Sequence, residues 1–181
     1  MKKYEFSVIA SGLDPNADDF ETRFFNAGCD DALVSFQKGH IIVDFAREAE
    51  SIDGAISSAV EHVKKAGAQV DRVEPDTLVS LSDIAERTGL MSAAITQFAR
   101  GQRGESFPSP VARITSHPSL YDWAEVATWL FKHEKLTRDQ AIEAQAVKAV
   151  NDAIKLRETS LQEVLKARLQ TYEAGLGKKA A

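Results

Sequence analysis

The chain has 181 residues, 44% apolar and 27% charged, with 10 glycines and 5 prolines. That is the balance of an ordinary globular protein of one or two domains, and it excludes long disordered or collagen-like regions. The net charge of −5 is unevenly spread: residues 1–77 carry 8 basic and 15 acidic side chains, 78–131 carry 4 and 5, and 132–181 carry 10 and 7. No run of ~18 apolar residues offers a membrane span, and no apolar segment follows Lys2-Lys3 as a secretory leader requires. One thiol, Cys29, makes neither an internal disulfide nor a cysteine-based zinc site. A cytoplasmic protein without metal or cofactor is expected.

Residues 3–10 alternate Tyr4, Phe6 and Val8 on one face and predict a half-buried strand. Asp14-Pro15 reads as a helix start. That helix would carry Phe20 and Phe24, with Phe25 beside them, and stop at Gly28. Residues 32–37 and 40–46 predict two strands joined by a hairpin at Lys38-Gly39, with Ile41, Val43 and Phe45 sharing a face. Ser51 caps a helix running to about Ala66, whose stripe is Ile52, Ile56, Ala59, Val60 and Val63. Val70 and Val73 mark a last strand before Pro75. The order β-α-β-β-α-β predicts a ferredoxin-like, split βαβ domain over 1–76.

A second segment, 78–131, opens with a short helix whose inner face is Leu81, Ile84 and Ala85 and which closes at Thr88-Gly89. A second short helix follows over 92–100, with Ile95, Phe98 and Ala99 inward. Residues 101–121 are rich in Gly, Ser and Pro, with β-like runs at 111–114 and 120–123. Asp122 or Trp123 then opens a helix with Val126, Ala127, Trp129 and Leu130 as its apolar side. Trp123 and Trp129 read as core, but six residues apart they fall on different sides of a helix, which predicts that one is partly exposed. The third segment, 132–181, starts at the capping box Thr137-Arg138-Asp139-Gln140 and carries apolar residues at three- and four-residue steps from Ile142 to Tyr172. A single helix of that length, ~55 Å at ~1.5 Å per residue, must break, fold back or pair with another chain. Asn151-Asp152 is a candidate break, and dimerisation is the expected use.

The run Ser82-Asp83-Ile84-Ala85-Glu86-Arg87-Thr88-Gly89 followed at once by a second helix has the form of a helix-turn-helix. With Phe107-Pro108-Ser109-Pro110-Val111 and the closing Trp123-Ala124-Glu125-Val126-Ala127-Thr128-Trp129-Leu130, about 50 residues resemble the AlpA-like and excisionase-like winged helix-turn-helix proteins, relatives of the MerR regulators. The resemblance implies double-stranded DNA binding. It puts a recognition helix at 92–100, with Ser92, Thr96 and Gln97 as hydrogen-bonding readers. Arg100, Gln102 and Arg103 follow at its end, and Arg113 and His117 lie on the wing. Gln addresses adenine and Arg guanine bidentately, and wing arginines meet phosphate or the minor groove. Ala93 and Ala94 depart from the pattern, since alanine touches only a thymine methyl.

No Gly-rich phosphate loop, nucleophile elbow or metal-spaced histidine pair occurs; His40, His62, His117 and His133 are scattered. The acidic residues Asp14, Asp18, Asp19, Glu21, Asp30 and Asp31 read as a solvated face that repels DNA. The expectation is an α+β, non-enzymatic, homodimeric DNA-binding regulator with a ferredoxin-like domain, a winged helix-turn-helix and a C-terminal helical region, acting as a repressor. Two other readings stay open: an antitoxin or accessory protein that neutralises a partner protein such as a toxin and autoregulates, and an excisionase-like recombination factor.

Overall fold

In the computed structural model, which describes residues 1–157 and 160–177, the chain is mixed α+β. It divides into two compact units. Unit 1 is Met1–Pro75 together with the chain from Ala146 onward, and unit 2 is Asp76–Gln145. The segment expected as one helical region, 132–181, is therefore shared between the two, and residues 158–159 and 178–181 of it lie outside the described residues.

Unit 1 contains β1 (Lys2–Ser11), α1 (Phe20–Ala27), β2 (Ala32–Gln37), β3 (His40–Ala49), α2 (Ile52–Lys65) and β4 (Gln69–Glu74). The strands form one sheet in the order β2-β3-β1-β4, every neighbour antiparallel. Period-two alternation governs what β3 and the first part of β1 bury, while Val8, Ile9 and Ala10 at the end of β1 are buried in succession. Phe6 and Val8 sit opposite Phe45 and Val43, and all four are buried. Helix α2 buries Ile52, Ala55, Ile56, Ala59, Val60 and Val63, and α1 buries Phe20, Phe24 and Ala27. Helix α1 begins at Phe20 rather than at Asp14-Pro15. The Asp14 carboxylate accepts the Asn16 backbone N–H at 2.9 Å, which closes a local turn instead of a helix. Phe25 is left outside, 64% exposed.

The C-terminal helical pattern breaks into two helices. Helix α6 (Arg138–Lys155) ends past the candidate break, and α7 (Leu161–Leu176) lies against α2, burying Leu161, Leu165 and Leu169. Each fully buried leucine stabilises by ~1.5–3 kcal/mol, which a single solvated helix would forgo. The stripe expected to form a dimer seam is thus covered within the chain. Asn151 lies inside α6. Its amide accepts the Val73 N–H and donates to the Val73 carbonyl, both at 2.8 Å, so one side chain takes up both backbone groups of Val73 on edge strand β4.

Unit 2 contains β5 (Leu78–Val79), α3 (Leu81–Thr88), α4 (Ser92–Ala99), β6 (Tyr121–Asp122), α5 (Trp123–Lys132) and the first half of α6. β5 and β6 pair antiparallel. Its core gathers Val79, Ile84, Ile95, Phe98, Tyr121, Trp123, Val126, Trp129, Leu130 and Leu136. Both tryptophans are buried, contrary to the spacing argument. Helix α5 is covered on more than one side, because the 101–107 loop packs over Trp129: its indole N–H donates to the Glu105 carbonyl at 2.9 Å, and Phe107 meets it edge-on at 5.0 Å. Of the two β-like runs, one backbone bridge, Ala112 to Leu120, and the short β6 are formed.

Candidate nucleic-acid interface

The site is built on α3 and α4. Helix α3 starts with a complete capping box. The Ser80 hydroxyl accepts the Asp83 N–H at 3.2 Å, and the Asp83 carboxylate accepts the Ser80 backbone N–H at 2.7 Å. That backbone bond, together with the one from the Ser80 hydroxyl, holds the Asp83 carboxyl below its usual range. Helix α3 ends at Gly89, whose φ of +68° is left-handed and suits glycine. The Thr88 hydroxyl donates to the Ile84 carbonyl and accepts the Leu90 N–H, which fixes the turn into α4. Ile84 and Ala85 of α3 share one buried cluster with Ile95 and Phe98 of α4.

Burying Ile95 and Phe98 fixes what α4 offers to solvent. At ~100° per residue, Ala93, Thr96, Gln97 and Arg100 fall on the opposite side. Ala93, Gln97 and Arg100 are exposed, Thr96 is half-buried, and Ser92 is exposed at the first turn. Gln102 and Arg103 follow on an exposed loop, where the Arg103 guanidinium lies 5.6 Å from the Phe98 ring centroid. The expected readers on α4 and in the loop after it thus lie on or next to one outward face.

The residues expected on a wing sit in the hairpin loop closed by Ala112 and Leu120. Arg113 and His117 are both exposed. The Arg113 guanidinium donates to the His117 carbonyl at 2.6 Å, so part of its donor set is spent on shaping its own loop. Two exposed apolar residues escaped the sequence reading: Met91, just before α4, and Ile114, in the hairpin loop. Hydropathy alone assigns both to a core; the place of Met91 two residues past the turn glycine Gly89, and of Ile114 next to Arg113, is the signal that points outward.

The other chemically distinctive group lies in unit 1. Arg47, 6% exposed, holds Asp31 through two bonds of 2.8 Å, donates to the Gly28 carbonyl at 2.8 Å and to the Ser58 hydroxyl at 3.0 Å, and lies over the Phe45 ring. The Arg47 bond holds the Asp31 carboxyl below its usual range. Burial pushes the neighbouring Cys29 thiol up to about 11, so it is protonated and unreactive at neutral pH. These bonds tie the strand that carries Arg47 to the loop after α1 and to α2. Among the described residues, no three His, Cys, Asp or Glu side chains come together to hold a metal ion, and no helix is long and apolar enough to cross a membrane.

No protein-family model matches the chain, and no curated protein or solved structure matches it.

Proposed function

We propose that the chain is a sequence-specific double-stranded DNA-binding regulator, with unit 2 as a winged helix-turn-helix and unit 1 as a ferredoxin-like domain that pairs or senses. The observation that carries the reading is the outward face of α4. Thr96, Gln97 and Arg100 line it, anchored through Ile95 and Phe98 onto the capped helix α3. A major groove ~12 Å wide admits one helix, and its base edges pair with Gln and Arg. α4 is eight residues, ~12 Å long, enough to address a few consecutive base pairs. In this reading Ser92 meets a base edge or phosphate at the start of the helix, and Gln102 and Arg103 continue the contact. Arg113 and His117 meet backbone phosphate, and Ile114 is an apolar tip at the minor groove. In unit 1, the antiparallel strand order β2-β3-β1-β4, with α2 packed on the sheet and α1 packed on α2, supports the ferredoxin-like reading.

Electrostatics bound the affinity. Residues 76–145 carry seven basic and nine acidic side chains, so a single unit has little net attraction for phosphate. Two units on two half-sites would raise affinity without more charge, and the expected homodimer supplies them. The test is binding of the purified chain to the duplex upstream of its own gene, against a scrambled duplex, at two salt concentrations. Selective binding with affinity falling steeply in salt is the expected result. Equal, weak binding to both duplexes, insensitive to salt, overturns the reading.

A further inference from the structure

We infer that edge strand β2 of unit 1 is a self-pairing surface, and that its partner is β2 of a second copy of this chain, joined antiparallel across a twofold axis. The inference names the interface of the dimer that the DNA-binding reading calls for, and its test reads assembly in the absence of DNA.

The two edges of the sheet are treated differently. At β4, the register shifts between Ile9 and Ala10, Asp71, Arg72 and Glu74 bring charge, and the Asn151 amide takes up both backbone groups of Val73. These are the devices that block strand addition. Strand β2, Ala-Leu-Val-Ser-Phe-Gln, has no charge, no proline and no bulge. Leu33 is 69% and Phe36 46% exposed, and a groove of about 330 Å³ runs beside the strand, lined by Thr22, Phe25, Cys29, Ala32, Leu33 and Val34 among others.

The backbone dictates the register. Hydrogen-bonded pairs alternate along an antiparallel ladder. Asp31 accepts from the Ala46 N–H at 3.1 Å, so Leu33, Ser35 and Gln37 also turn their backbone groups toward β3. Val34 and Phe36 turn theirs outward, and so does the Ala32 carbonyl, which can accept the Phe36 N–H of a copy, while the Ala32 N–H is taken by the Cys29 carbonyl at 3.2 Å. Two such edges interlock when Val34 faces Val34 of the copy and Ala32 faces Phe36. That register sets Asp30 opposite Lys38 of the copy, twice by symmetry, and both side chains are exposed. The acidic end of each strand thus meets the basic turn of the other, and no like charges oppose.

The mass of the full chain in solution, measured by sedimentation equilibrium, tests this. The expected value is twice 19.8 kDa. Val34→Pro removes an N–H that points outward and none that bonds β3, so it should leave the far-ultraviolet circular dichroism unchanged and raise the dimer dissociation constant at least tenfold. Phe36→Glu, at a side chain already half in water, should do the same should Val34→Pro fail to fold. Lys38→Asp and Asp30→Lys should each weaken the dimer roughly two- to fivefold, and combining them should restore it. A monomeric wild type overturns the proposal and leaves the edge to an extended segment of a different protein. A dimer untouched by both Val34→Pro and Phe36→Glu overturns it too, since assembly then uses another surface.

Discussion

Two glycines in the loop after α4 allow a controlled comparison. Gly101 has φ +66° and Gly104 has φ +74°, so alanine at either position is held left-handed at ~1–2 kcal/mol. Around Gly101 nothing lies within 4 Å of an added Cβ, whereas at Gly104 that atom would stand 2.9 Å from Cη2 and Cζ2 of Trp129. The indole has nowhere to go. It stacks on His133 at 3.7 Å, packs against Phe98 at 5.1 Å and Phe107 at 5.0 Å, and is tied through its N–H to the Glu105 carbonyl. Overpacking of this kind adds ~1–3 kcal/mol. Gly101→Ala should therefore cost about 1–2 kcal/mol, and Gly104→Ala about 2–5 kcal/mol. Urea unfolding followed by tryptophan fluorescence measures both, since Trp123 and Trp129 both belong to unit 2. Neither substitution removes a candidate DNA contact, so Gly104→Ala should also lower duplex affinity by displacing Arg103, while Gly101→Ala should not. Equal destabilisation by the two would refute the idea that Trp129 pins this loop.

Arg100→Ala with Arg103→Ala should weaken specific duplex binding by roughly 2–5 kcal/mol and flatten its salt dependence; unchanged affinity in a filter-binding or anisotropy titration removes that face from the interface. Arg47→Met should destabilise unit 1 by about 3 kcal/mol, because it leaves Asp31 half-buried without its partner. Asp31 has its folded pKa depressed below the ordinary 3.8. Its stabilising contribution is therefore complete above that value and disappears as pH falls through the folded one. The gap between wild type and Arg47→Met should accordingly narrow in acid unfolding below about pH 4, and a gap independent of pH would contradict the ion pair. Asn151→Leu strands the Val73 N–H and carbonyl, at a cost of roughly 2–4 kcal/mol; hydrogen exchange at Val73 should accelerate, and unchanged protection would show that the amide does not matter there.

The parts of the fold that local pattern determines were readable in advance. Alternation placed Phe6 and Val8 inward, Lys38-Gly39 turned the hairpin, and Ser51 capped α2. In the candidate interface, the three- and four-residue spacing that buries Ile95 and Phe98 also left Gln97 and Arg100 outside. What escaped depends on partners distant in sequence. Asn151 interrupts an apolar stripe and so looks like a helix break, because its partner Val73 lies 78 residues away. Arg47 follows Ile41, Val43 and Phe45 inward, against its charge, because Asp31, Gly28 and Ser58 converge on it from three separate segments. Trp129 is buried by a loop, and loops carry no periodicity from which to infer cover.

The way the chain is divided has a consequence for its synthesis. Unit 2 is one uninterrupted stretch of 76–145, while unit 1 needs both its first 75 residues and those after 145. A ribosome that has released residue 145 has released all of unit 2, yet β4 still lacks Asn151 and α2 still lacks the leucines of α7. The domain translated first is thus the last that can complete its core, and until then the Val73 edge and the apolar flank of α2 stand open to chaperones or to another nascent copy. A stop codon in the 146–177 segment would spare the helix-turn-helix candidate and cripple the unit that precedes it.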